Sequence, residues 1–203
     1  MKWKLESVTQ ETSHPFLNYF TLHYEVDKEG KKKEYSYFLA SRHKKEELLP
    51  ETHNISRPDG VTIPLYYVDE KGRYFILLTK QFRPAVGSYV YSVPAGLIDP
   101  GDKDILEVAK REAKEEVGAI IGDLEVLSKS GTTSSGLSDE TNAIVLARIL
   151  SFSEKNLEEF EDISAKLYSF EEAQKMLDDD KYFFSNTARL IILLLLERFK
   201  NRP

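Results

Sequence analysis

The 203-residue chain contains no cysteine, one tryptophan and two methionines. Without cysteine it can form no disulfide, no thiolate nucleophile and no cysteine-ligated zinc site. Histidine is also scarce, and the four histidines show no metal-ligand spacing; they are His14, His23, His43 and His53. The lack of cysteine excludes thiol chemistry, and the spacing of the histidines gives no indication of a metal site.

Long hydrophobic runs are missing as well. The longest apolar run, residues 190–196, is far shorter than the ~20 residues that a membrane-spanning helix needs. We therefore expect it to form a core helix. The first residues (MKWKLE) lack the apolar core of a signal peptide, and we expect a cytoplasmic protein.

Positive charge is in deficit. The net charge of −6 and the pI near 5.4 argue against nucleic acid as a main partner, because phosphate binding depends on a basic surface. The one basic cluster, residues 28–33 (KEGKKK), contains Gly30 and is predicted to be the solvated tip of a hairpin.

What the chain does contain is enough apolar sequence for a real core, at 41% hydrophobic residues. Residues 1–56 are predicted to be extended, with a hairpin formed by residues 16–26 and 33–40 around Glu29 and Gly30. A small sheet needs a surface to pack on, either the main domain or a second subunit. We predict a β-strand subdomain over residues 1–56 that serves as a dimerisation region, and hence a homodimer.

Residues 57–203 are predicted to form the second domain. Its helix should begin near Lys103 or Asp104, with Asp104 as N-cap, and end at Gly118. Strands are predicted at residues 61–68, 74–82, 88–93, 123–130, 143–150 and 166–170, and further helices at residues 171–177 and from Ser185 onward. This order predicts an α+β fold, an α/β/α sandwich with a mixed sheet covered by helices on both faces.

The helix before Gly118 has an unusual acidic edge. Small and apolar residues form one i,i+4 row: Ile105, Ala109, Ala113 and Val117. Glu112 and Glu116 lie about 60° from that row, and carboxylates crowded beside a buried face favour a divalent cation between them. The alternative is a solvated helix face with i,i+4 ion pairs worth about 0.2–0.5 kcal/mol each.

Gly96 and residues 111–118 (REAKEEVG) resemble the Nudix signature: Gly, five residues, Glu, seven residues, then Arg-Glu-apolar-x-Glu-Glu-x-Gly. Four flanking motifs resemble the ADP-sugar (ADP-ribose) pyrophosphatase branch of that family: residues 57–61 (RPDGV), 81–84 (QFRP), 94–99 (PAGLID) and 135–140 (SGLSDE). The resemblance covers about residues 57–200.

The resemblance implies Mg²⁺-dependent hydrolysis of the pyrophosphate bond of a nucleoside diphosphate sugar, ADP-ribose above all, to AMP and ribose 5-phosphate, with Mn²⁺ as the alternative ion. It assigns the metal site to Ala95, through its backbone carbonyl, and to Glu112, Glu115 and Glu116. It places Glu140 as general base or further ligand, with Glu115 and Arg111 as catalytic residues. Arg57 and Arg83 match substrate contacts. Three aromatic residues are candidates to stack on the base: Trp3, Phe16 and Tyr19.

Two departures from the family pattern stand out. The segment between Gly96 and Arg111 is one residue longer than the signature, and Asp102 occupies the slot of its first glutamate. Ser92 stands where the branch commonly has glutamate. Both keep open a catalytically weak or inactive Nudix-fold module that binds a nucleotide sugar. A second alternative is an isomerase or house-cleaning nucleotidase of the same superfamily, against which the PAGLID and SGLSDE motifs argue.

Overall fold

The computed structural model describes residues 1–56, 58–157 and 162–200. It contains two compact units. The first unit comprises residues 1–59 and 129–142, and the second comprises residues 60–128 and 143–203. In the parts of the chain that the structure describes, no helix is long and apolar enough to cross a membrane.

The first unit is built on a three-stranded antiparallel sheet, in the order β1 (Lys2–Gln10), β2 (Asn18–Lys28) and β3 (Lys31–Ser41). Glu29 and Gly30 join β2 to β3 with φ values of 55° and 81°, and two positive φ values are what a tight hairpin turn of the right twist requires. The predicted hairpin is confirmed. β1 adds a third strand from the extended N-terminal residues.

One face of this sheet carries the core of the first unit. The buried residues Phe20, Leu22 and Leu39 come from β2 and β3, and Val8 comes from β1. Leu48 completes the cluster just before the short helix α1 (Leu49–Thr52). Residues 129–142 join the unit through the backbone, where the Ala40 amide donates to the Leu137 carbonyl at 2.9 Å.

The second unit contains most of an eight-stranded sheet. Its strands are β4 (Gly60–Thr62), β5 (Leu65–Val68), β6 (Tyr74–Arg83), β7 (Ser88–Ser92), β8 (Ala95–Leu97), β9 (Ala119–Thr132), β10 (Thr141–Phe152) and β11 (Ile163–Ser169). Their order is β11-β6-β5-β10-β4-β8, with β7 also paired to β6 and β9 to β10. β5 and β10 run parallel whereas β5 and β6 run antiparallel, so the sheet is mixed.

Helices cover both faces of this sheet: α2 (Ile105–Val117) on one, α3 (Phe170–Leu177) and α4 (Asn186–Phe199) on the other. The two faces follow from strand alternation, because successive side chains point to opposite sides. On β6, Leu77 packs with α2, while Ile76 and Leu78 pack with α3 and α4. The predicted α+β fold with helices on both faces of a mixed sheet is confirmed.

One local prediction was wrong. Residues 61–68 form two strands rather than one, because Pro64 has no amide hydrogen for a ladder and the Ile63 amide donates instead to the Pro94 carbonyl at 2.8 Å. Residues Ala95–Leu97, which follow β7, form the short edge strand β8, where Ala95 pairs with Thr62 of β4. This strand positions the residues that face α2.

Candidate active site

Helix α2 begins and ends where its sequence predicts. The Asp104 side chain accepts hydrogen bonds from the amides of Leu106 and Glu107, at 2.8 and 2.9 Å, so it caps the first turn. Gly118 ends the helix with φ of 68°, and its amide donates to the Lys114 carbonyl. Ala109 and Ala113 are fully buried against the sheet, and this fixes the direction of the neighbouring acidic edge.

Two glutamates of that edge lie against β8. The Ala95 amide donates to Glu116 Oε2 at 3.2 Å, and Glu116 is only 7% exposed. One turn earlier, the Glu112 carboxylate lies directly over Gly96, where a side-chain carbon would overlap it. The two carboxylates are therefore held against consecutive residues of one strand, and a side chain at position 96 would have to displace the Glu112 carboxylate from where it lies.

Arg111 joins the acidic edge to the loop before the helix. Its Nη1 lies 2.7 Å from Glu112 Oε1 and 3.2 Å from Glu115 Oε2. Its Nη2 donates to Asp102 Oδ2 at 3.0 Å and to the Leu97 carbonyl at 3.1 Å. One guanidinium thus binds groups from the helix, the loop and the end of β8.

These neighbours stabilise the protonated form of Arg111. Burial by itself lowers the pKa of the guanidinium, but the hydrogen bond that Arg111 donates to Asp102 and the charges of Glu112 and Asp102 raise it by more, so the net pKa lies above its ordinary value. Arg111 is therefore a fixed positive charge that offsets the repulsion among the surrounding carboxylates.

Asp102 reaches Arg111 in spite of the longer loop. Its carboxylate also accepts from the Asp99 amide at 2.8 Å, and the Asp102 amide donates to the Asp99 carbonyl at 3.0 Å. This turn lies before α2 begins, within the segment that is one residue longer than the family signature. The other departure, Ser92, lies at the end of β7 with its Oγ 3.3 Å from the Oγ of Ser185, the N-cap of α4.

The side chains of this cluster suit one class of metal ion. Within the described ranges, no group of three or more histidine and acidic side chains is arranged to hold a metal ion as it stands. Glu112 and Glu116 nevertheless offer hard oxygen donors one helical turn apart, beside the main chain of Ala95 and Gly96. Oxygen donors of this kind are the ones that Mg²⁺ prefers. The residues present fit a hard divalent cation in donor type.

The structure brings together five of the predicted site residues in the second unit: Ala95, Arg111, Glu112, Glu115 and Glu116. Arg83 belongs to the same unit and is exposed at the end of β6, where its backbone pairs with Ser88. Arg57 lies outside the described residues.

Glu140 belongs to the first unit. Its Oε1 accepts from the Thr133 hydroxyl at 3.0 Å, and its Oε2 lies 3.4 Å from Arg42 Nε. Sequence reasoning missed Arg42 as a neighbour of Glu140, and no local signal could have found it, because nearly a hundred residues separate the two positions.

The sequence of this chain is similar to those of several known proteins. A family model described as "NUDIX domain" matches residues 56–187. The chain is 34% identical over 134 residues to an ADP-ribose pyrophosphatase of Saccharomyces cerevisiae, a match that covers 61% of this chain and 56% of that protein. It is 30% identical over 145 residues to an ADP-ribose pyrophosphatase of Bacillus subtilis, covering 70% of this chain and 75% of that protein. The chain spans about half the length of the first curated relatives it matches, 40% of one and 56% of the yeast protein.

A solved structure agrees with the fold. The crystal structure of an ADP compounds hydrolase superposes with a TM-score of 0.71 at 18% identity, and the match covers 98% of this chain and 95% of that one. At this identity the likeness concerns the fold alone. The family model matches well over half of the sequence, and the acidic edge of α2 is held by Arg111 as the signature requires. The chain therefore belongs to the Nudix hydrolase family.

Proposed function

We propose that this protein hydrolyses the pyrophosphate bond of a nucleoside diphosphate sugar, with ADP-ribose as substrate and AMP and ribose 5-phosphate as products. The observation that carries the proposal is the pair of carboxylates, Glu112 and Glu116, held one helical turn apart against Ala95 and Gly96 of β8. The names of the yeast and Bacillus relatives support the substrate class.

The charge of the substrate explains why such a cluster is needed. A pyrophosphate is polyanionic and repels both an attacking water and the carboxylates of the protein. Bound Mg²⁺, or Mn²⁺ in its place, would neutralise phosphate charge and acidify the attacking water. Glu112, Glu116 and the Ala95 carbonyl are the proposed ligands, with Glu115 as a further one.

The residues of the chain divide the remaining work. Arg111 holds the carboxylates of Glu112 and Glu115 in one orientation and balances their charge. Arg83, exposed at the end of its strand, is suited to a bidentate contact with a phosphate. Glu140 matches the loop acid of the family by sequence and is the proposed acceptor of the water proton, a step worth typically ~10²–10⁴-fold. Arg57 is proposed as a substrate contact on sequence alone.

The decisive experiment incubates the full chain with ADP-ribose and Mg²⁺ and follows AMP and ribose 5-phosphate by chromatography. A panel of other nucleoside diphosphate sugars and of nucleoside triphosphates defines the class. We expect AMP from ADP-ribose, dependence on added metal, and loss of turnover with EDTA. Binding of ADP-ribose by calorimetry without any product would instead establish the inactive binding module.

A homodimer is part of the same proposal. The face of the first-unit sheet opposite its core exposes Tyr19 and Phe38, whose rings stack at 6.0 Å, and Phe16 is 75% exposed nearby in sequence. Exposed aromatic patches of this kind mark association surfaces. Light scattering should give twice the chain mass, and Phe38→Ser should shift the protein toward monomer. A wild-type monomer at assay concentration would contradict the dimer.

A further inference from the structure

The core face of the first-unit sheet ends in an aromatic cavity of about 520 Å³. The register of the strands brings its rings together. Tyr24 of β2 lies opposite Tyr35 of β3. Trp3 of β1 lies opposite Val26, which is two residues after Tyr24 and on the same face of β2. Tyr24 and Tyr35 each stand nearly perpendicular to Trp3, at ring distances of 5.7 and 5.5 Å and angles of 83° and 89°. Tyr37 continues the same wall.

The rest of the cavity is lined by residues of the first unit: Leu22 and Leu39 of the sheet, Leu49 and Pro50 of α1, His53 just after α1, Thr132 at the end of β9, and Ser135, Ser138 and Asp139. Asp139 belongs to this lining and is 7% exposed. Its Oδ2 accepts from the Leu49 amide at 3.0 Å, whereas its Oδ1 is buried and has no hydrogen-bond partner. A buried carboxylate oxygen without a donor is costly, and a donor brought by a ligand would offset that cost.

The charge of the lining defines the ligand. Aromatic faces are electron-rich, Asp139 adds a carboxylate, and among the described residues that line the cavity there is no lysine or arginine, and His53 is the one side chain that can become cationic. Such surroundings attract organic cations and repel phosphates. The cavity therefore differs in sign from any site suited to the diphosphate of a nucleotide sugar.

We propose that this cavity is a second binding site, for a small organic ammonium ion with an apolar body. The rings of Trp3, Tyr24 and Tyr35 hold the hydrocarbon and the charge, and Asp139 accepts a hydrogen bond from the ammonium group. The volume lies within the range of small-molecule sites, ~300–1,000 Å³.

The chain supplies its own probe, because Trp3 is its only tryptophan. The full-length protein is titrated at pH 7 with 2-phenylethylammonium and, separately, with 2-phenylethanol, which has the same body and no charge. Trp3 emission is followed, and calorimetry gives the same constants by heat. We expect saturable binding of the cation, at least about tenfold tighter than binding of the alcohol.

Two variants identify the groups responsible. Asp139→Asn keeps an oxygen acceptor for the Leu49 amide and removes the charge, so the preference for the cation should fall to within about twofold. Glu46→Gln, at an exposed position of the same unit that does not line the cavity, removes the same charge and should leave the preference unchanged. Tyr35→Leu should weaken the cation at least about threefold. Circular dichroism checks that each variant is folded.

Several results would overturn the site. Equal affinity for the cation and the alcohol in the wild type would remove the role of charge, and an Asp139→Asn variant with full preference would remove Asp139. Absence of both an emission change and heat would show that neither ligand binds. A Trp3 emission that changes with protein concentration before any ligand is added would show that a second copy covers the cavity.

Discussion

At the scale of single residues, Arg111 decides how the acidic edge is arranged. Its two terminal nitrogens contact Glu112, Glu115 and Asp102 within 3.2 Å. Without a positive charge at this place, the carboxylates would repel one another and turn outward. The orientation of Glu112 over Gly96 therefore depends on a side chain that need not touch substrate.

Glu116→Gln tests the proposed ligand. The amide oxygen of glutamine can still accept from the Ala95 amide, so the fold should persist, while the lost charge should lower turnover of ADP-ribose at least about 100-fold. Steady-state kinetics measures the effect, and circular dichroism confirms folding. Glu107→Gln, at a half-exposed position on the same helix, is the matched control and should keep full activity. An unchanged rate for Glu116→Gln would remove this residue from the site.

Gly96→Ala tests the close contact between β8 and α2. A methyl group at this position overlaps the Glu112 carboxylate, so either the strand or the glutamate must move. We expect a loss of about 1–3 kcal/mol in the free energy of unfolding, measured in urea, together with reduced activity. Gly101→Ala is the control, because a Cβ there meets no atom within 4 Å. Equal stability of the two variants would show that Glu112 moves aside at no cost.

At the scale of elements, α2 was predictable and β8 was not. Asp104 and Gly118 are local signals that bound the helix, and its buried row follows from the spacing of Ala109, Ala113 and Val117. β8 is three residues long and exists through its pairing with β4, more than thirty positions away in sequence. The acidic edge of the site could thus be predicted, whereas the backbone that it faces could not.

The loop between β8 and α2 gives a prediction of its own. Asp102→Asn keeps an oxygen that can accept from the Asp99 amide but takes a negative charge from Arg111. We expect kcat to fall about 10–100-fold with a smaller change in KM, since the residue acts through Arg111 on the carboxylates. Thermal unfolding should shift by only a few degrees. A fall in KM alone, or no kinetic change, would contradict a positioning role.

At the scale of the whole molecule, a pair of titrating groups makes the first unit sensitive to pH. His43 Nε2 lies 2.9 Å from Asp59 Oδ1. The hydrogen bond to Asp59 raises the pKa of His43, against a smaller lowering by burial. Burial raises the pKa of Asp59, but hydrogen bonds from His43 and Thr141 lower it by more, to a net value below its ordinary one.

The direction of each pKa shift determines the pH range over which the pair stabilises the fold. The contribution of His43 to the free energy of unfolding is complete below its unfolded pKa of ~6.5 and is lost as the pH rises through the higher pKa of the folded state. The contribution of Asp59 is complete above its unfolded pKa of ~3.9 and is lost as the pH falls through the lower pKa of the folded state. The stability lost in His43→Asn, followed by Trp3 emission in urea, should be about 1 kcal/mol at pH 5–6 and should shrink toward pH 9. A difference that does not change across that range would show that protonation of His43 adds nothing to its contact with Asp59.

The membership of the first unit could not be predicted from sequence. Residues 129–142 belong to it because three hydrogen bonds join them to the N-terminal part of the chain. The Ala40 amide donates to the Leu137 carbonyl, and the Tyr37 hydroxyl donates to the Gly136 carbonyl at 2.8 Å. The Leu49 amide donates to the Asp139 carboxylate. Each of these contacts joins positions about ninety or more apart. Local patterns of hydrophobicity and turn residues carry no information on such pairings.

This shared membership limits how the chain can be dissected. A fragment that stops at residue 59 would leave the Ala40 amide and the Tyr37 hydroxyl without their acceptors. Removing residues 129–142 would in turn cut away the ends of β9 and β10, which pair with each other in the large sheet. No single cut yields two complete pieces, so expression of separate halves, or proteolysis between them, should give aggregation rather than two independent folds.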